Sequence, residues 1–305
     1  MLGAAVLLVA LGCLTWRQGS IYENREVLWQ DTLKKNPDAW IAHNNLAHLL
    51  VKQSKFNDAI QHYHHALRLK DDSDKIHFSL ASTLLLANND EDGALRHYRE
   101  AARLNPTESD AHFNIGALLL QRNDPINAVR YLRQAIELKP EDANSHHTLG
   151  IGLRNVDRLN DAVDSFQTAI LLNPDRAATY FNLATAFQRQ GKLDDAITQY
   201  RMAIRINPEY VRAQNQLGNA LLQQNKPNEA INEFRQILET HPDIAGTHFN
   251  LGRALLVKGD QARAMEGFRE AVRLDPQLAE MVRYVGVDLD VATKVETTTE
   301  APLSN

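Results

Sequence analysis

Twelve histidines and a recurrent file of amide and hydroxyl side chains are the groups in this sequence regular enough to organise chemistry. His43, His77, His112, His146 and His248 recur about 34 residues apart, or at a multiple of that step. Imidazole is the commonest protein metal ligand, so a shared ion is the first chemistry to weigh. Side chains repeating at this interval stand on stacked helices about 8–10 Å apart between axes. One ion needs its ligand atoms near ~2 Å, so the series cannot converge on a single site. His62, His64 and His65 are denser, and His62 and His65 share a helix face. Two imidazoles without a carboxylate or thiolate make a weak site, and a solvated face is the expectation. No metal or other cofactor is expected.

A second file is more informative. Asn45, Ser79, Asn114, Thr148, Asn182, Gln216 and Asn250 keep the same step, and each can hydrogen-bond. An amide offers donor and acceptor together, which suits an extended peptide backbone. Such a ladder would hold a peptide without demanding one sequence. The other reading, that these side chains cap or bridge neighbouring helices, stays open. Arg154, Arg189, Arg212 and Arg253 add positive charge that could pair with an acidic peptide; as solvated charges they would each contribute little. Phe78, Phe113, Phe181 and Phe249 stand one residue before the polar file, where packing between repeats is expected.

Catalysis finds no support. No glycine-rich phosphate loop, nucleophile elbow or paired metal motif is present. Cys13 is the sole cysteine, which excludes an intrachain disulfide framework. A net charge of −5, with no basic stripe interleaved with aromatics, argues against nucleic acid as a partner.

The elements that must position these files follow from proline. Pro106, Pro140, Pro174, Pro208, Pro242 and Pro276 lie 34 residues apart, mostly after Leu-Asn or a close variant. Proline lacks an N–H and clashes with the preceding turn, so each marks a helix stop. Upstream of each, a bulky–small pair recurs: Leu46-Ala47, Leu80-Ala81, Ile115-Gly116, Leu149-Gly150, Leu183-Ala184, Leu217-Gly218 and Leu251-Gly252. A second small residue follows (Ala59, Ala128, Ala162, Ala196, Ala230, Ala264), then a large knob: Tyr63, Tyr98, Leu132, Phe166, Tyr200, Phe234 or Phe268. The register gives seven repeats: 40–73, 74–108, 109–142, 143–176, 177–210, 211–244 and 245–278. One residue extra falls in the 88–92 turn of the second, displacing its small residue to Ala94. Residues 17–39 read as a capping half-repeat with Trp29 as knob, 279–292 as a degenerate cap helix with Val285-Gly286 in the bulky–small slot, and 293–305 as a disordered tail.

This pattern resembles the tetratricopeptide-repeat (TPR) family throughout 40–278. The resemblance implies an all-α, right-handed TPR superhelix, an α-solenoid of about seven helix-turn-helix repeats with partial caps. First helices would line a concave groove. The fourth-slot histidines stand where the family commonly places tryptophan. Ile41 fills the first position of a carboxylate clamp, so a chaperone-tail clamp is not supported. His112-Phe113-Asn114-Ile115-Gly116 and Phe181-Asn182-Leu183-Ala184 are similar to the TPR arm of O-GlcNAc transferases, where an asparagine ladder grips substrate. Here serine, threonine and glutamine interrupt it. Thr15-Trp16-Arg17-Gln18, Glu26-Val27-Leu28-Trp29 and Leu33-Lys34-Lys35-Asn36-Pro37 resemble the junction between the last membrane helix and the repeats in polytopic TPR proteins related to protein O-mannosyltransferases.

Residues 1–16 are almost wholly apolar but shorter than the roughly 20 residues a spanning helix needs. The run has no basic residue before Arg17, which disfavours a signal peptide. A truncated membrane helix is the preferred expectation, then a poor signal peptide, then a start-site artefact. The sequence thus predicts a non-catalytic scaffold for proteins or extended peptides, membrane-associated, with its repeats on one aqueous side. The periplasmic or lumenal side is favoured over the cytoplasmic. The alternative is the substrate-recruiting arm of a membrane glycosyltransferase whose catalytic part is absent from this chain.

Overall fold

The computed structural model describes residues 25–286, among which there are sixteen α-helices and no strand. Helix α1 (Arg25–Lys35) precedes seven hairpins: α2 (Trp40–Lys52) with α3 (Phe56–Leu69), α4 (Asp74–Asn88) with α5 (Glu91–Leu104), α6 (Ser109–Gln121) with α7 (Pro125–Leu138), α8 (Ala143–Asn155) with α9 (Leu159–Leu172), α10 (Ala177–Arg189) with α11 (Leu193–Ile206), α12 (Val211–Gln223) with α13 (Pro227–Thr240), and α14 (Ala245–Lys258) with α15 (Gln261–Leu274). Helix α16 (Leu278–Tyr284) follows. The chain divides into two compact units, Met1–Glu141 and Asp142–Asn305. The all-α tetratricopeptide class stands.

Two turn devices recur along the chain, the first in all seven hairpins and the second after four of them. Inside each hairpin, the first helix stops at a residue in left-handed conformation: Ser54, Asn89, Asn123, Asp157, Gly191, Asn225 and Gly259 all have positive φ. Such a residue lets the orphan carbonyls of the last turn find N–H donors, and glycine, asparagine or aspartate bears that conformation at least cost. Between hairpins, the Asx residue before proline folds back on its own chain. The Oδ1 atoms of Asn105, Asn173, Asn207 and Asp275 accept from the N–H groups of Thr107, Asp175, Glu209 and Gln277.

The left-handed position also relocates the extra residue of the second repeat. Asn89 lies one place further from its helix start than its counterparts, and α4 is 15 residues long against 13 for α2. The insertion therefore lengthens the first helix and does not enlarge the turn. Hydrogen-bonded helix absorbs it, leaving Leu86 exposed.

The bulky–small slot and the knob fit each other by a rule. A Cβ built on Gly150, Gly218 or Gly252 would lie 2.6, 2.5 or 2.8 Å from the ring of Phe166, Phe234 or Phe268, and all three rings are fully buried. Where the small residue is alanine (Ala47, Ala81, Ala184) the knob is tyrosine, whose hydroxyl must find a partner when buried. Tyr63 pairs with His48 Nδ1 at 3.0 Å and Tyr98 with Ser82 Oγ at 2.8 Å, while Tyr200 donates to Gln188 Oε1 at 2.8 Å.

At the C-terminal end α16 is shorter than the cap helix read to residue 292. It stops at Tyr284, Val285 caps it, and Gly286 has φ +80°, so Val285-Gly286 does not continue the helix as a bulky–small pair. At the other end α1 packs on α2 but buries no residue, and Trp29 is only half-buried. Among the described residues no helix is long and apolar enough to cross a membrane. The apolar segment 1–16, residues 17–24 of the cap, 287–292 and the tail 293–305 lie outside the described residues.

Candidate peptide-binding face

In the Asp142–Asn305 unit the first helices meet side to side, α8 with α10 and α12 with α14. Their lateral bonds obey a second rule. Where the fifth slot is polar, the third slot of the next hairpin is threonine: His147 Nδ1 pairs with Thr179 Oγ1 at 3.0 Å, and Asn215 Nδ2 donates to Thr247 Oγ1 at 3.0 Å. Thr179 and Thr247 are buried, so each bond satisfies groups that cannot reach water. Where the fifth slot is Phe181, the next third slot is Ala213. In the Met1–Glu141 unit, Phe78 is likewise followed by Ala111, but polar Asn44 is followed by Ile76. Asn44 Oδ1 is accordingly buried without a partner.

Three of the fifth-slot phenylalanines meet the knob of their own hairpin. Centroid separations are 5.2 Å for Phe78–Tyr98, 5.8 Å for Phe181–Tyr200 and 5.6 Å for Phe249–Phe268. Phe181 also touches Tyr210 of the following segment at 5.2 Å.

The predicted ladder residues Asn45, Ser79, Asn114, Thr148, Asn182, Gln216 and Asn250 are all half-buried. Several are already engaged. Asn114 Nδ2 donates to the Asp110 carbonyl at 2.8 Å, Gln216 Oε1 accepts from Asn219 at 3.3 Å, and Asn250 Nδ2 reaches Asn215 Oδ1 at 3.5 Å. Asn182 Oδ1 accepts from Arg154 Nη1 at 2.9 Å, so the arginine and amide files meet. Arg189 donates to the Arg154 carbonyl at 2.7 Å and pairs with Asp157 at 2.8 Å. The Arg212 guanidinium stands over the Phe181 ring, 5.1 Å from its centroid, in the cation–π arrangement. Burial, then the fields of Arg189 and Arg212, push Arg154 down from the ordinary arginine value. Arg253 is half-buried on α14.

The Met1–Glu141 unit offers a different surface. A cleft of about 320 Å³ is lined by His48, Asp74, Phe78, Ser79, Glu108 and Asp110 among others. Its histidines are organised by the backbone. His43, His77 and His112 place Nε2 at 3.0, 3.1 and 3.0 Å from the carbonyls of Pro37, Asp71 and Pro106. A carbonyl only accepts, so Nε2 carries the proton and Nδ1 of a neutral ring is an acceptor. His62 and His97 then donate through Nδ1, at 2.9 Å to His43 and 2.9 Å to His77. The ring of His65 also stacks on His43 at 5.0 Å. The helix-face reasoning treated the fourth-slot series and the His62–His65 group as separate; the fold joins them. His97, pushed down to about 4 by burial and then by the charges of His77, His64 and Arg96, fills in the second repeat the slot that His62 fills in the first, just before the knob, once the inserted residue is counted. Among the described residues no group of three or more His, Cys, Asp and Glu could hold a metal ion.

Comparison with known proteins gives the family. A model described as "Cilia and flagella-associated protein 70 C-terminal domain" matches residues 15–248, and a tetratricopeptide-repeat model matches 245–278. No curated protein matches the chain. Among solved structures, YrrB, described as a TPR protein with an unusual peptide-binding site, is 22% identical with a TM-score of 0.57, covering 61% of this chain and 95% of that one. MamA 41-end from Desulfovibrio magneticus RS-1 is 19% identical with a TM-score of 0.53, covering 56% and 96%. The pilF protein of Pseudomonas aeruginosa is 17% identical with a TM-score of 0.55, covering 68% and 93%. At such identities the likeness speaks for the fold alone. The first family model spans well over half of the sequence, and the chain therefore belongs to the tetratricopeptide-repeat family described as the cilia and flagella-associated protein 70 C-terminal domain.

Proposed function

We propose that the chain is a non-catalytic scaffold that holds a protein segment or extended peptide along the face of its first helices, the seven repeats of 40–278 acting as the binding unit. One observation carries this reading: the half-buried file of amides and hydroxyls beside arginines on α8, α10, α12 and α14. Half-buried amides keep unused donors and acceptors at a surface where a peptide backbone needs both. Asn182, for instance, engages Oδ1 but has no bonded partner for Nδ2 among the described residues. YrrB, similar in fold, is described as having a peptide-binding site, which supports a peptide as occupant of this one.

The test is binding of the purified chain to an immobilised random-peptide library. Asn182→Ala should weaken retained peptides about threefold to tenfold, the size of one or two lost hydrogen bonds. Unchanged binding by Asn182→Ala together with Asn114→Ala would remove the ladder as the contact surface.

Membrane association through residues 1–16, with the repeats on a periplasmic or lumenal side, belongs to the same proposal and is supported by the composition of that run. Flotation of the full chain with lipid vesicles, lost when residues 1–16 are deleted, is the expected result; retention after deletion would count against it. A second reading, the recruiting arm of a membrane glycosyltransferase, is favoured by the Thr15–Gln18 and Glu26–Pro37 phrases. Its test is co-purification with a polytopic partner.

A further inference from the structure

The charges of the Asp142–Asn305 unit are sorted by helix. The four first helices α8, α10, α12 and α14 contain no aspartate or glutamate, and each of α8, α10, α12 and α14 carries an arginine. Every second helix, α9, α11, α13 and α15, carries at least two carboxylates. The chain as a whole is acidic at −5, so the first-helix face runs against the molecular average.

The sorting culminates at one place. Arg154 spends one N–H on neutral Asn182 and has no carboxylate partner among the described residues. Arg212 has no hydrogen-bonded partner among them either, and is held over Phe181 by its ring. Asp157, three residues beyond Arg154 in the chain, is paired with Arg189. A half-buried guanidinium next to two further cations is electrostatically unsatisfied, because burial removes the water that would otherwise screen it. An arriving carboxylate would relieve that repulsion and accept charge-assisted bonds from a planar fork built for it.

We propose that Arg154, Asn182 and Arg212 form a carboxylate site that selects acidic side chains, Asp or Glu, within an extended peptide; this rests on the peptide-binding reading given above. Arg154 and Arg212 hold the side-chain carboxylate, and the free Nδ2 of Asn182 binds the adjoining backbone carbonyl. The amide lining favours a peptide over a nucleic acid, whose bases would call for exposed aromatic platforms.

The experiment compares two fluorescent peptides of about twelve residues, alternating Glu and Ser or Gln and Ser, titrated by anisotropy against the full chain at low and moderate salt. The Glu peptide should bind about tenfold tighter, with the gap closing as salt rises. Arg154→Gln and Arg212→Gln should each reduce the Glu-over-Gln preference to about parity, and Arg154→Lys should restore part of it. Arg205→Gln, on exposed α11 surface, should change nothing. Arg212 is exposed, so its variant keeps the test valid even if Arg154→Gln unfolds in a thermal melt. Equal binding of the two peptides overturns the carboxylate site but leaves the scaffold reading standing. Binding of neither removes both. A phosphoserine peptide held without the Glu peptide, or a single-stranded oligonucleotide displacing the Glu peptide at lower concentration, also overturns the assignment.

Discussion

In the Met1–Glu141 unit the fourth-slot imidazoles of α2 and α4 each meet a second imidazole, whereas the first helices of the Asp142–Asn305 unit carry arginines without carboxylates. The backbone task behind both is the same. A side-chain N–H in the fourth slot holds the carbonyl six residues upstream, supplied by His43, His77 and His112 in the first unit and by Gln214 and His248 in the second. What differs is the chemistry left over. Histidine used in this way exposes an Nδ1 acceptor, and a donor imidazole nearby turns it into a hydrogen-bonded imidazole pair. The comparison teaches that one repeat architecture, with its turns and knobs unchanged, can carry a proton-sensitive surface in one unit and a fixed cationic one in the other.

The largest expected effect tests what the units share. Gly218→Ala should destabilise the second unit by about 2–3 kcal/mol, because the new Cβ meets the fully buried Phe234 ring and overpacks it. Denaturant unfolding measures this; a loss below about 0.5 kcal/mol would show that the hairpin can open to accommodate the methyl.

Next comes the lateral bonding that separates them. Thr247→Val keeps the shape but removes the hydroxyl that both donates to and accepts from Asn215, for a loss of about 1–3 kcal/mol. A double-mutant cycle with Asn215→Leu should return most of that loss as coupling.

Acidification should then split the units. Burial is the first cause pushing His48, His62, His64, His65 and His97 down, aided by Lys52, Arg68, Arg96 and neighbouring histidines and opposed by Asp58 and Asp90. A depressed imidazole pKa means the unfolded chain binds the proton first. The stability is whole above pH ~6.5 and lost as pH falls toward about 4. In the second unit His147 is pushed down to about 4 by burial and two arginines. Hydrogen exchange at about pH 5 should therefore show protection falling by roughly tenfold more in α2–α5 than in α10–α13. Equal loss in both would refute the imidazole pairs as the cause.

The smallest effect is at Asn44. Its Oδ1 is already orphaned, so Asn44→Leu should change stability by less than about 0.5 kcal/mol, where Asn215→Leu costs more. A thermal melt distinguishes the two.

Much of the fold was legible because it rests on local physics. Proline stops, small residues facing large knobs and the step of 34 residues each act over a few turns of helix, and they align the first helices whatever happens elsewhere. The site was legible only as files of candidates. Asn182 and Arg154 stand in different slots 28 residues apart, and their 2.9 Å bond depends on how α8 lies against α10. His97 and Tyr200 were opaque for the same reason: their partners come from the other helix of the hairpin, and no spacing along the chain announces the hydroxyl or imidazole they meet.

By itself the sequence determined the all-α repeat class, the helix stops and the identity of the knobs, since proline, glycine and side-chain volume constrain the backbone directly. Tertiary structure alone decided that the second-repeat insertion lies in α4, that His43 and His77 pair with outer histidines, and that Arg154 bonds the Asn182 amide while Arg212 stands over Phe181. Those outcomes depend on distances across packed helices, and a distance across a packed interface is set by the side chains of both partners at once.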